Sequence, residues 1–208
     1  SNQSYRPTIT FTFDDGYAEN CDFALPLLIE HSVPTVYFVC TTHVETQVSF
    51  PHDRDAGIAL PVNTIAQLRD MADAGIEIGL HTRDHVDFSK VQSADVIRSQ
   101  IVDGKDALEQ MIGRVVKYFA FPYGLPQQLI PPAIAAVREA GMVGFCSAFG
   151  AYNLPGRDSF HIRRFHGDTN FDRFLNWLSF DPAKVRHEPK VHYDLPPAMN
   201  TDAMVVAQ

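Results

Sequence analysis

Three short clusters in this chain carry groups able to do chemistry together. The first is Asp14 and Asp15, side by side before Gly16. Adjacent carboxylates repel each other and are costly to bury, so the pair calls for a cation nearby. The plainer alternative is an exposed Asp-Asp-Gly turn, which the same residues favour. The second is His81 and His85, four apart, a spacing that brings two imidazoles onto one ion when the segment makes a helical turn. Two histidines and a carboxylate then form a metal site with open positions for water and substrate. The third is Phe121-Pro122-Tyr123-Gly124. A Pro-aromatic-Gly turn exposes backbone N–H groups that can serve as an oxyanion hole in acyl transfer. Its alternative is an ordinary turn around a packed tyrosine.

Each cluster sits at the end of an expected strand. β-branched and aromatic runs predict strands over 8–13, 34–40, 76–80, 115–121, 142–148 and 159–165. Helices are expected between them. One spans 20–32. A second is capped by Asn63 and closed by Gly75, with Ile65, Leu68, Met71 and Ala72 on its apolar face. A long amphipathic helix covers 93–112 and stops at Gly113, and others cover 131–140 and 170–179. Strands alternating with helices of this length imply βα units and a mainly parallel sheet. The fold class is therefore α/β, a distorted or incomplete (β/α) barrel of about seven βα units. A doubly wound open sheet is the alternative. In either, ligands bind at the C-terminal strand ends, where the three clusters lie. Residues 46–62 lack periodicity and read as a loop insertion. After Pro182 the composition turns to proline, histidine and charge, so 1–182 reads as the catalytic domain and 183–208 as a C-terminal extension.

The bulk properties narrow the field. With 208 residues, 45% hydrophobic and 20% charged, the chain suits one globular domain with a full core. Acidic residues outnumber basic ones 25 to 17, giving a formal charge of −8, and no basic run occurs. A nucleic-acid partner needs a clustered basic face and is not expected, whereas a neutral or cationic substrate is permitted. Cys21, Cys40 and Cys146 are too few and too scattered for a disulfide framework and read as buried free thiols. No run approaches the roughly 18 apolar residues of a membrane span. From the polar opening residues Ser1-Asn2-Gln3-Ser4 no secretory leader is expected within this sequence.

Taken with their order and separation, Thr12-Phe13-Asp14-Asp15-Gly16, His81-x-x-x-His85 and Phe121-Pro122-Tyr123-Gly124 resemble the first three motifs of the polysaccharide deacetylases. This is carbohydrate esterase family 4, the NodB-homology domain, and the similarity runs from about Thr8 to Leu178. The resemblance implies a TIM-barrel-like hydrolase that removes acetyl groups from N-acetylated sugars in a polysaccharide. By that resemblance Asp14 is the general base, and Asp15, His81 and His85 hold a divalent ion, zinc first, with cobalt or nickel as alternatives. The Tyr123 N–H helps bind the oxyanion. The chemistry is coherent: a divalent ion lowers the pKa of its bound water towards about 7, making that water the nucleophile, and a nearby ionised Asp14 can take its proton.

The match fails in three places. The arginine usually found two positions before the proline is replaced by Ala120, and the fourth motif, with its aspartate and tryptophan, is not evident around 144–153. Losing both partners of one ion pair points to a variant branch, resembling deacetylases of bacterial exopolysaccharides. The fifth motif, which supplies a histidine as general acid, has its nearest counterpart in 159–168. Period-two alternation there puts Ile162, Arg164 and His166 on one face and His161, Arg163 and Phe165 on the other. Arg164 is expected to replace the missing arginine and His166 to act as acid. His43 is a candidate for the cleft wall, while His31, His52, His187 and His192 read as surface. Trp177 reads as core packing.

Two rival functions remain: a metal-dependent hydrolase of a small-molecule amide or formyl group, and a catalytically inactive carbohydrate-binding module. The expected partner is an N-acetylglucosamine-type polymer or oligomer, and that substrate class favours the cell envelope or a secreted location.

Overall fold

The computed structural model describes residues 8–194. Six strands form one sheet in the order β1-β2-β3-β4-β5-β6, every neighbouring pair parallel. They are β1 (Phe11–Phe13), β2 (Thr35–Val39), β3 (Glu77–Leu80), β4 (Tyr118–Ala120), β5 (Gly144–Cys146) and β6 (His161–Ile162). Strand order equal to chain order winds the sheet in one direction, curling it into a half-barrel. The doubly wound alternative is thereby set aside, because it needs a reversal of strand order. Six strands stand where about seven units were expected, and each ladder is shorter than its apolar run. Residues 115–121, for example, pair only around Tyr118–Ala120.

Side-chain alternation sorts the residues into two layers. Val36, Phe38, Tyr118, Ala120, Cys146 and Ile162 form a cluster inside the curl. Tyr37, Val39, Ile78, Leu80, Phe119 and Phe145 point outward and join the main core with the helices. The interior is narrow: a β-carbon at Gly79 would overlap the Phe38 ring.

The helices are α1 (Ala24–Glu30), α2 (Thr41–Thr46), α3 (Pro51–Asp55), α4 (Ile65–Asp73), α5 (Ala94–Arg98), α6 (Gly104–Ile112), α7 (Pro131–Glu139), α8 (Phe171–Leu178) and α9 (Pro182–Arg186). The cap of α4 is Thr64, not Asn63. Thr64 and Gln67 exchange side-chain and backbone hydrogen bonds in a full capping box, while buried Asn63 accepts from the Tyr37 hydroxyl. The expected helix over 93–112 is interrupted by one π turn, Ser99–Asp103, between α5 and α6. The 46–62 segment is not all loop. It contains α3, and Phe50 before it is fully buried, its ring 4.0 Å from that of His43.

After β6 the chain builds α8 and α9. Trp177, expected in the core, is instead half-buried on the wall of a cleft, its ring stacked on that of Phe165 at 5.8 Å and 5.2 Å from the Lys184 ammonium. The segment beyond Pro182 packs on the domain: Glu188 pairs with Arg157 and Arg163, and Tyr193 packs against Phe145 and Phe160. Residues 195–208 of the expected extension lie outside the described residues. Among the described residues no helix is long and apolar enough to cross a membrane. All three cysteines are free thiols, with Cys40 and Cys146 buried and Cys21 half-buried.

His161 yields a stability test. Its ring stacks on Phe145 at 4.9 Å and Nε2 meets the Ser147 hydroxyl at 2.8 Å. Burial pushes its pKa down to about 4, below the ordinary 6.5. The unfolded chain therefore takes up a proton first, and stability falls as pH drops from 6.5 through 4. The full loss attributable to this ring is about 3 kcal/mol. Urea denaturation at pH 7 and pH 4.5 should show a smaller pH-dependent loss in His161→Gln than in the native chain, and equal losses would refute the assignment.

Candidate functional site

The site stands at the C-terminal ends of β1, β3, β4 and β6. Directly after β1 come Asp14, then Asp15 with φ of 75° and Gly16 with φ of 91°. A β-carbon at Gly16 would lie 3.0 Å from Val39, so this tight left-handed turn requires glycine there. It turns the two carboxylates in different directions.

Asp15 faces the histidines. Its Oδ1 lies 3.4 Å from His81 Nε2 and 3.3 Å from His85 Nε2. The His81 Nδ1 is 2.8 Å from the Ala120 carbonyl, which can only accept, so Nδ1 carries the proton and Nε2 presents a lone pair. Burial pushes the His81 pKa down, more than the aspartates raise it, which favours this neutral form. Asp15 Oδ1 is buried without a hydrogen-bond donor. The two nitrogen contacts have ion-pair length without hydrogen-bond alignment. A lone pair facing a buried carboxylate oxygen is unfavourable unless a cation lies between them. Three ligand atoms within 4.8 Å of one another, one orphaned, fit a divalent ion.

Asp14 faces away, towards β6. Arg164 grips it bidentately, Nη1 to Oδ1 at 2.7 Å and Nη2 to Oδ2 at 2.9 Å. The same guanidinium donates to the Thr12 hydroxyl at 3.1 Å and the Ser147 carbonyl at 2.8 Å, and lies 5.5 Å from the centre of the Phe38 ring. Burial pushes the Asp14 carboxyl up. Positive charge at His81 and Arg164 outweighs that and holds it below the ordinary carboxylate range. Because burial drives His81 towards neutrality, Arg164, charged at any accessible pH, is the lasting counterion. Phe38, over which Arg164 lies, packs inside the curl with the small residues Ala120 and Cys146.

Tyr123, with φ of 61°, and Gly124, with φ of 60°, make the turn after β4. The Gly124 carbonyl accepts from the Ala148 N–H at 2.8 Å, and a β-carbon at Gly124 would strike that nitrogen. The Tyr123 N–H donates to no protein acceptor among the described residues. Its exposed ring lies 5.2 Å from that of His85.

The structure thus brings together Asp14, Asp15, His81, His85, Arg164 and Tyr123. His166 stands apart from them. The strand ends at Ile162, so period-two alternation does not extend to 166, and His166 is exposed with no hydrogen bond among the described residues. It lines a cleft of about 530 Å³ together with Arg164, Ala148, Asp168 and Trp177. His43 is buried and serves packing, its Nδ1 meeting the Val48 carbonyl at 2.7 Å. His52, read from sequence as surface, has a 58% exposed side chain yet lies 6.3 Å from the His85 ring. Tyr17 holds it there, its hydroxyl donating to Asp53 at 2.8 Å and meeting His52 Nε2 at 3.1 Å. No spacing in the sequence signals this, because α3 returns over the site only through the burial of Phe50.

Titratable side chains gathered at the C-terminal ends of a curled parallel sheet define an α/β barrel with its ligand site at that rim. The chain belongs to the polysaccharide deacetylase family: the family model described as Polysaccharide deacetylase matches residues 1–144. It is 26% identical over 137 residues to the chitooligosaccharide deacetylase of Bradyrhizobium sp. (strain ANU 289), covering 65% of this chain and 53% of that protein. It is 25% identical over 116 residues to YxkH of Bacillus subtilis (strain 168), covering 56% of this chain and 37% of YxkH. The chain therefore spans about half or less of these relatives' length. Among solved structures, its fold resembles the Streptococcus pyogenes deacetylase PplD in complex with acetate, at TM-score 0.69 and 18% identity, over 85% of this chain and 72% of that one. It also resembles IcaB from Ammonifex degensii, at TM-score 0.65 and 22% identity, over 80% and 70%.

Breaking the Asp14–Arg164 pair leaves a largely buried carboxylate without its counterion. Arg164→Met should cost about 2 kcal/mol, reduced from the fully buried case because Asp14 keeps some solvent. Adding Asp14→Asn should recover at least about 1 kcal/mol of that loss. Additive losses in urea denaturation would show that the pair carries no coupling.

Proposed function

We propose that this chain is a metal-dependent hydrolase that removes acetyl groups from N-acetylated sugars of a polysaccharide, releasing acetate and a free amine. Membership of the polysaccharide deacetylase family supports the reaction class. The observation that carries the metal dependence is the orphaned Oδ1 of Asp15 facing the Nε2 atoms of His81 and His85. These three residues would hold the ion, zinc first, with cobalt or nickel as alternatives. When bound, it supplies Lewis acidity, making water acidic near neutral pH and polarising the amide carbonyl.

The chain's own residues do the rest. Asp14, kept ionised by Arg164, takes the proton from the attacking water. A carboxylate held below its usual range is a weak base, so it suits a proton that is already labile. As the water oxygen adds to the carbonyl carbon, negative charge grows on the carbonyl oxygen. The free Tyr123 N–H, aimed out of its left-handed turn, donates to that oxygen. Collapse breaks the C–N bond, and the amine leaves with a proton. His166, which shares the cleft wall with Arg164 but stands apart from the other site residues, is the donor proposed here. The acidic chain, net −8, suits a neutral or partly deacetylated, cationic polymer, and a substrate of that class would favour the cell envelope or the exterior.

The test is acetate release from chitopentaose and a poly-N-acetylglucosamine oligomer by chelated protein reloaded with Zn(II), Co(II) or Ni(II). Asp14→Asn should lose about 10²–10⁴-fold in kcat with metal still bound, and His81→Ala should lose both metal and turnover. Metal retained with no acetate from either sugar would favour a small-molecule amide or formyl substrate, and absence of both would favour a carbohydrate-binding module. His166→Ala should lower kcat more than KM, and near-native turnover would remove it from the acid role.

A further inference from the structure

The two histidines are held in different ways. The His81 ring is pinned directly by the Ala120 carbonyl at 2.8 Å. The His85 ring has no hydrogen-bond partner among the described residues beyond its contact with Asp15, so its aim depends on the backbone that carries it. That backbone is unusual. Thr82 and His85 both adopt left-handed conformations, with φ of 69° and 56°. A β-branched residue in that region persists only where its surroundings impose it.

We infer that Gln100, on the π turn between α5 and α6, is a positioning residue that imposes this loop and so aims His85 at Asp15. The inference rests on the metal-site reading above. Gln100 Oε1 accepts from two successive loop N–H groups, Arg83 at 3.1 Å and Asp84 at 3.0 Å. Its Nε2 donates to the Asp84 carboxylate at 2.5 Å. One amide side chain thus clasps the two residues between the left-handed positions. From the other side, the N–H groups of Thr41 and Thr42 at the start of α2 donate to the Thr82 and Arg83 carbonyls at 3.3 and 3.0 Å. The Thr82 hydroxyl closes the turn by accepting from the His85 N–H at 2.9 Å.

The placement of Gln100 sets it apart from an ordinary helix residue. It is 5% exposed and sits on the buried stripe with Ile97, Ile101, Gly104 and Leu108, where an apolar side chain would pack. Gly104, one turn on, lets the helix approach the loop: a β-carbon there would lie 3.0 Å from Arg83 Cγ. A π turn carries one more residue than the α geometry it replaces, which changes the direction of the side chains beside it, and such turns gather at functional sites. Here the extra residue turns a polar group towards the loop without breaking the apolar stripe on either side. A buried amide in such a stripe favours one arrangement over others more than it adds stability.

The test separates aim from stability by titrating Co(II) against a competing chelator, with the visible spectrum of the bound ion as a second readout. Gln100→Met keeps the volume and removes all three hydrogen bonds. It should weaken Co(II) binding about 10–100-fold and alter the spectrum. Gln100→Glu keeps acceptors for both N–H groups but sets a carboxylate against Asp84, and should weaken binding similarly. The double variant Gln100→Glu with Asp84→Asn restores a donor–acceptor pair with reversed polarity, and should return affinity to within about threefold of the native chain. A merely structural role would lower the melting temperature of these variants and leave affinity and spectrum unchanged. Native affinity and spectrum in Gln100→Met would overturn the inference. So would a double variant no tighter than Gln100→Glu, and that pair decides alone if Gln100→Met does not fold. A native chain that binds no Co(II) would instead sink the metal-site reading itself.

Discussion

A sheet of six parallel strands that curls without closing leaves a seam between its first strand and its last. Arg164 spans that seam at the rim. It stands two residues past β6 and grips Asp14, one residue past β1, while also binding Thr12 and the Ser147 carbonyl. The sheet contributes no ladder across this gap among the described residues. One guanidinium therefore closes the rim and fixes one of the two adjacent aspartates. Desolvating such a pair consumes much of what its attraction returns, so its main effect is on position rather than on net stability. Its five donors in a rigid fork suit that task, and a lysine could not satisfy four acceptors on three residues in the same way.

With Asp14 committed to Arg164, the like-charge problem of the Asp14–Asp15 step falls on Asp15. The glycine turn rotates Asp15 away from its neighbour and into the space between two imidazoles. The two carboxylates thus serve two partners, the Arg164 guanidinium for Asp14 and the His81 and His85 imidazoles for Asp15. Each comes from a different structural source: a side chain after β6 for Asp14, and the loop after β3 for Asp15. Neither carboxylate could take both positions, which is why the turn must reverse direction within one residue.

The chemistry was legible in the sequence to the extent that it lies in local clusters at strand ends. Asp14, Asp15, His81, His85 and the Pro122-Tyr123-Gly124 turn sit within a few residues of apolar runs that can only be strands of a buried sheet. Arg164 was reached another way: the resemblance to the deacetylases implies an arginine that Ala120 cannot supply, and alternation along 159–165 offered Arg163 and Arg164 on opposite faces, of which Arg164 meets Asp14. His166 lay beyond the reach of that reasoning, because a two-residue strand does not carry its alternation four residues further. The cap at Thr64 rather than Asn63 reflects competition. Tyr37 claims the asparagine from the sheet, and Gln67 completes a reciprocal box with the threonine. His52 depends on the burial of Phe50, a long-range event, and Gln100 on a π turn that no periodicity signals.

The placement of Trp177 has a practical consequence. It is the chain's only tryptophan, in contact with the Phe165 ring and the Lys184 ammonium. Phe165 follows Arg164 directly, so the indole stacks on the residue next in sequence to the arginine that closes the rim. Its fluorescence is therefore an intrinsic optical label for the docking of α8 and α9 onto the segment after β6. Emission wavelength and quenching by added iodide or acrylamide would report whether that docking loosens when a ligand occupies the cleft, without any dye or engineered probe.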